Sequence, residues 1–264
     1  MTVTELSTML LNGLYRVFLT NFSQTDDVSA KIKPEYMTTV LIANSLVERY
    51  GGIGSSIQVR MEDATHKILG ASIGFPRRTG WHKEISRPGR VDVVLYVSDG
   101  VPRPVVLIEA KRFVRTYSAI EKDTKRLIEF LQTTNENNES TIAACASTFF
   151  LLEERNLTVA SQRKLCETRL RTMLTELMKI VPSGLQVEVR YRTLLAPLYK
   201  TVDEAMMLDE NGQRKYAVDA PISIFGIVII IYREDRNSFL SAIKAMDDAS
   251  PLEDHGNRRI DLLM

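Results

Sequence analysis

Cysteine is scarce: the 264 residues hold two, Cys145 and Cys166, with no CxxC spacing. That excludes a disulfide framework and a thiolate zinc site, and the apolar or helical setting of both reads as buried thiols in a reducing compartment. His66, His82 and His255 stand at no metal-ligand spacing, and none has an evident serine or cysteine partner, so zinc and nucleophilic-triad chemistry find no support. The chain lacks a phosphate-binding P-loop and a dinucleotide-binding glycine fingerprint, which argues against ATP-driven and nicotinamide chemistry. Long hydrophobic runs are absent too: the longest, Ile222 to Tyr232, falls well short of the ~20 residues a membrane span needs. The opening stretch MTVTELSTMLLNGLYRVFLTNF has helical periodicity and neither the basic region nor the small-residue cleavage site of a signal peptide. A cytoplasmic protein with no membrane partner is expected.

What is present is ordinary in bulk and uneven in detail. The 44% hydrophobic and 25% charged fractions suit a globular protein with a packed core, and the length suits one large domain. A net charge of +1 favours no partner, but charge is clustered. Arg77, Arg78, Lys83, Arg87 and Arg90 accumulate against a single acid, Glu84, with Trp81 and His82 between them. A second group, Arg112, Arg115, Lys122, Lys125 and Arg126, follows soon after. Either cluster alone could be a solvated face; together they flank one acidic constellation.

Periodicity predicts a first helix over about Val3 to Leu19, then a polar loop, and a second helix from Pro34 to Gly51-Gly52. Glu48 projects from the edge of that helix's apolar stripe near its C-terminus, where the helix dipole disfavours an acid. It is either a functional carboxylate or a solvent-facing partner of Arg49 or Lys33. A strand over Ser56 to Met61, the basic loop and a hairpin follow, then an amphipathic helix with Ile120, Leu127, Ile128 and Leu131 on one face. STIAACASTFFLL reads as a buried strand, LTVASQRKLCETRLRTMLTELMKI as a long helix, and GLQVEVRYRTLL and ISIFGIVIIIY as two more strands. Glu188, Arg190 and Arg192 share one face of the first of these two, as a charged edge or a further phosphate-contact surface. The expected fold is a single α/β domain, residues 1–264, with a central mixed sheet flanked by helices.

The hairpin RVDVVLYVSDGVPRPVVLIEAKR, Arg90 to Arg112, carries the chemistry. With its turn at Gly100-Val101, antiparallel pairing puts Val97 opposite Pro104, Leu95 opposite Val106 and Asp92 opposite Glu109. The period of two places Glu109 and Lys111 on one face and Ala110 on the other. Two facing carboxylates raise one another's pKa unless a cation separates them. Mg²⁺ is commonly held by one or two carboxylates, waters and phosphate oxygens, and Lys111 is placed to act on a metal-bound water or to hold a phosphate. The structural alternative is a salt-bridged strand end, Asp92 or Glu109 with Lys111 or Arg112.

These residues resemble the PD-(D/E)XK nuclease superfamily, whose core is a helix, three strands, a helix and a strand. Asp92 matches the motif aspartate, Glu109-Ala110-Lys111 the (D/E)XK element, and Glu48 the glutamate that many members carry on the preceding helix. Val91 stands where the family has proline. The resemblance covers about Pro34 to Leu152, leaving a helical addition at 1–33 and an α/β extension over 153–264. It implies a restriction-endonuclease-like core and metal binding by Asp92, Glu109 and the Ala110 carbonyl, with Mg²⁺ as the ion and Mn²⁺ as its substitute. Lys111 is then the catalytic lysine. The charge clusters make Arg77, Arg78, Lys83, Arg87, Arg90, Arg112 and Arg115 the expected nucleic-acid contacts, with ordinary ion pairing the alternative for Arg90 and Arg112. Glu109-Ala110-Lys111 is the only ExK triplet, and the only DxK, Asp123-Thr124-Lys125, falls in a predicted amphipathic helix and is set aside as a decoy.

The function expected is a DNA endonuclease of restriction, phage defence or repair. A non-catalytic nucleic-acid-binding or assembly protein with the same fold, and an RNA-cleaving nuclease, are the alternatives, since recognition of the 2′-OH rests on surface detail. A homodimer would supply the two sites that cutting both strands of a duplex calls for.

Overall fold

Runs of Val, Ile, Phe and Tyr bounded by turn residues become strands here because branched and aromatic side chains pack well on a pleated surface. The computed structural model describes residues 1–25, 35–51, 55–73, 89–98, 100–135, 137, 139–154, 158–195, 206–208, 214–216, 222–233 and 258–259. In chain order the elements are α1 (Val3–Thr25), α2 (Glu35–Tyr50), β1 (Ile57–Ala64), α3 (Thr65–Ile73), β2 (Arg90–Ser98), β3 (Pro102–Phe113) and a 3₁₀ turn (Tyr117–Ala119). They continue with α4 (Glu121–Gln132), β4 (Ala144–Glu154), α5 (Val159–Met178), β5 (Leu185–Leu195), β6 (Met206–Leu208), β7 (Arg214–Tyr216), β8 (Ile222–Arg233) and β9 (Arg258–Arg259).

The main sheet has the order β1-β2-β3-β4-β8-β5-β9, while β6 and β7 pair separately. β1, β2 and β3 form an antiparallel meander. β3 pairs parallel with β4, so the chain between them must cross over the sheet, which α4 does. β8 is antiparallel to both β4 and β5 and is buried on both faces from Ser223 to Ile231, which explains its nearly unbroken apolar run. The fold is thus α/β, a mixed sheet flanked by helices. The segment after Leu152 supplies β5, β8 and β9 to the same sheet that holds β1–β4.

One face of the sheet packs on α1 and α2 through Leu10, Leu14, Ile42, Leu46, Val93, Ile108, Ala146 and Val228. The other packs on α3, α4 and α5 through Ile68, Leu127, Phe130, Leu170, Leu107, Phe149 and Ile229. Helix α1 runs six residues beyond its predicted end, and α2 matches its prediction closely. Helix α3 was not predicted: nine residues with a central glycine and Ile68, Leu69 and Ile73 as apolar contacts form too short a pattern to separate from a loop. The charged stripe on β5 is neither a solvated edge nor open to phosphate. Arg190 Nε donates to Glu188 Oε1 at 2.6 Å and its Nη2 to Thr4 Oγ1 at 2.9 Å, while Arg192 donates to Asn12 at 3.0 Å and stacks over Tyr15. The stripe docks α1.

Cys145 and Cys166 are free and buried, as their apolar contexts predict. Among the described residues no helix is long and apolar enough to cross a membrane.

Leu14 has no solvent exposure and lies against Gly226 of β8. Leu14→Ala should cost about 2–5 kcal/mol of stability, the range for a buried leucine cavity. In urea unfolding the midpoint should drop with the slope unchanged; a loss below about 1 kcal/mol would show that α1 is dispensable to the core.

Candidate functional site

Strand parity builds the charged end of the hairpin. Val93 faces Ile108, Val94 faces Leu107 and Leu95 faces Val106, so one further step sets Asp92 level with Glu109. Nearer the turn a bulge between Leu95 and Tyr96 shifts the register, and Tyr96 rather than Val97 faces Pro104. Gly100 takes up the left-handed conformation there, with φ at 118°. The predicted register therefore fails at the turn and holds at the open end. Ala110 packs in the α1/α2 core and Leu107 in the opposite one, so Glu109 and Lys111 share the face that α4 covers.

A helix that crosses from β3 to a parallel neighbour runs back along the sheet, so its first turns stand over the carboxyl end of β3. These turns carry Asp123 and Arg126, and both reach the site. Arg126 Nη2 donates to Glu109 Oε1 at 2.5 Å and lies 3.3 Å from Asp123 Oδ1. Lys111 Nζ lies 3.2 Å from Asp123 Oδ2 and 3.2 Å from Oε1 of Glu35, in the first turn of α2. An alternating chain results, Glu35, Lys111, Asp123, Arg126, Glu109, linking α2, β3 and α4. Asp92 stands beside it, its Oδ2 accepting the Ala110 N–H at 2.7 Å.

Burial sets the electrostatics. Glu109 is 2% exposed, and loss of hydration together with the Asp92 charge pushes its pKa up to about 8 despite Arg126. Burial also raises Asp92; the Ala110 N–H and Lys111 oppose the shift, and Glu62 and Glu35 add to it. For Lys111, burial favours the neutral amine, but Asp123 and Glu35 outweigh it and hold the ammonium above its ordinary range. Glu62 lies on β1 between Met61, which faces Val93, and Asp63, which faces Val91, and is therefore level with Asp92. Its φ of 53° is a left-handed conformation unusual for a glutamate inside a strand.

The site thus gathers Asp92, Glu109 and Lys111 as predicted. Glu48 is not part of it: 58% exposed, it pairs with Arg16 of α1 at 2.5 Å. It sits 13 residues from Glu35 on the same helix, about 20 Å at 1.5 Å per residue. The α2 glutamate that reaches the site is Glu35. Asp123, set aside as a decoy, is central to the ion chain, and Arg126, read as part of a surface cluster, is 11% exposed and committed to Glu109. A signal for both existed: residues in the first turns of a crossover helix lie over the preceding strand's end. Lys125 pairs with Glu121 at 2.7 Å, which divides the second basic cluster further. Arg90 and Arg115 are exposed and Arg112 is half-buried. Arg77, Arg78, Lys83 and Arg87 lie outside the described residues.

Among the described residues, no three histidine, cysteine or acidic side chains converge as a metal site. The donors that fit a hard divalent cation are Asp92 and Glu109, two carboxylates level with one another on adjacent strands, whose pKa values burial raises. That number suits Mg²⁺, which keeps several waters. Compared with known proteins, the chain matches no family model, no curated protein and no solved structure.

Because the folded-state pKa of Glu109, about 8, lies above its ordinary 4.5, the native protein binds the extra proton between those values. Stability should therefore fall as pH rises from about 4.5 towards 8, by as much as a few kcal/mol at ~1.4 kcal/mol per unit. In Glu109→Gln this decline should shrink to the part that the raised Asp92 contributes. Urea unfolding of both proteins at pH 5, 6.5 and 8 measures it, and parallel curves would contradict the assignment.

Proposed function

We propose that the chain is a metal-dependent nuclease hydrolysing phosphodiester bonds of DNA, an endonuclease of the PD-(D/E)XK kind. One observation carries the reading: Asp92 and Glu109 stand level on adjacent antiparallel strands, with Lys111 two residues along and on the same face as Glu109. The order α2, β1, β2, β3, α4, β4 supports it, because it follows the helix, three strands, helix and strand of that superfamily's core, with α3 inserted.

In this reading Asp92, Glu109 and the Ala110 carbonyl hold Mg²⁺. When bound, the ion lowers the pKa of a water and offsets charge on the phosphate. Lys111, held between two carboxylates, is an ammonium and serves as a cation and hydrogen-bond donor to the phosphate, not as the base. Glu35 and Asp123 orient it from opposite sides of the strand end. Arg90, Arg112 and Arg115 lie around the same strand ends and offer backbone contacts to the nucleic acid.

A second reading rests on the ion chain itself: each cation in it already has carboxylate partners, which suits a nucleic-acid-binding protein that uses these charges structurally. Purified protein incubated with supercoiled plasmid, linear duplex, single-stranded DNA and RNA, with Mg²⁺, Mn²⁺ or EDTA, separates the two. Ion-dependent nicking that EDTA abolishes is expected, and binding without cleavage would favour the second reading; cleavage of RNA alone would reassign the substrate.

Asp92→Ala and Glu109→Ala should each abolish cleavage and weaken Mg²⁺ uptake in calorimetry. Lys111→Ala should bind the ion as before and lower turnover about 10²-fold or more, the scale of losing one charged stabilising group. Full activity in any of the three, at matched folding, would rule out its assigned role.

A further inference from the structure

The nuclease reading leaves Arg126 unexplained. It lies on α4, outside the motif, yet its guanidinium occupies an oxygen of Glu109 at 2.5 Å, in a position that leaves its side chain 11% exposed. Its Nε is buried and finds no hydrogen-bond partner among the described residues, so the side chain is not locked in its pose by a full donor set from them. Gly89, immediately before β2, makes room for it: a Cβ there would fall 2.8 Å from Arg126 Nη1.

A divalent ion held by Asp92 and Glu109 would share a buried carboxylate with this guanidinium, and two cations within a few ångströms in a poorly hydrated site repel. The guanidinium has somewhere to go, because Asp123 Oδ1 is already 3.3 Å from Nη2. We propose that Arg126 is the resident counter-ion of Glu109, which the divalent cation displaces towards Asp123. Ion uptake and release of Arg126 from Glu109 are one exchange. The unloaded protein thereby avoids a bare buried carboxylate pair, and the residue acts through Glu109 as a positioning group. The proposal rests on the metal-nuclease reading and assigns that site a regulation of its own.

The test follows the guanidinium directly. In ¹⁵N-arginine NMR of the full chain without nucleic acid, the Arg126 Nη signals, identified by their loss in Arg126→Lys, should be resolved by hindered rotation. Titration with Mg²⁺ should collapse that splitting at the same midpoint that calorimetry gives for ion uptake. Arg126→Gln, at pH 9 where proton competition is weakest, should take up Mg²⁺ about tenfold more tightly, the scale of one charge-assisted hydrogen bond removed. Ion uptake that leaves the Arg126 signals unchanged overturns the exchange. So does equal or weaker uptake in a folded Arg126→Gln, which would make the residue purely structural; if that variant does not fold, the wild-type titration decides alone. No uptake by wild type overturns this proposal and the metal-nuclease reading together, so the two failures are distinguishable.

Discussion

A carboxylate held out of water governs the charged end of this molecule. Glu109 stands in a strand that is buried from Pro104 to Ala110, on the sheet face that α4 covers, and its side chain is shut off from solvent. An unpaired charge in that position would be strongly destabilising, and a partner on the covering helix is the available remedy. Arg126 is that partner, and its need for a second acid accounts for Asp123 one turn earlier. Lys111 then shares Asp123 and extends the chain to Glu35. A single burial thus propagates through four further side chains on three elements.

The topology makes this arrangement possible. An antiparallel β2/β3 pair brings Asp92 level with Glu109, and a parallel β3/β4 pair requires a crossover helix that starts above the same strand ends. Helix α2, on the opposite face, points its first turn at the same spot, because Lys111 lies at the end of the sheet and can be approached from both sides. The sheet core stays apolar and the polar network is confined to one end, where part of it still meets water. In the proposed nuclease reading, such partial exposure suits a large substrate.

Each charged group there is set against another influence. Burial raises the pKa of Asp92 and Glu109, while Arg126 and the Ala110 N–H pull the other way. The backbone of Glu62, level with Asp92, adopts a left-handed conformation that few residues take up in a strand. Perturbed acids and backbone outliers cluster at functional sites because surrounding packing can hold what the residues alone would relax. Their coincidence at one end of one sheet, rather than any separate shift, draws the functional reading to this place.

The amino-acid sequence determined what depends on nearest neighbours along the chain: the α/β class, the strand runs, the hairpin, the boundaries of α2, and the convergence of Asp92, Glu109 and Lys111. Period-two alternation is a property of the backbone, so facing residues could be counted from the turn, and the bulge at Tyr96 displaced only the pairs nearest it. Tertiary structure decided which end of α2 meets the site. Helix α2 carries two glutamates, Glu35 in its first turn and Glu48 in its last, and only the direction of approach to the sheet selects Glu35 over Glu48. It likewise turned Asp123 and Arg126 from surface charges into half-buried partners, because amphipathic spacing shows which face of a helix is apolar but not what polar group waits beneath its first turns. Contacts between residues far apart in the chain follow from how layers stack, and pattern along the sequence records that only indirectly, as when a crossover helix starts over the end of the strand before it.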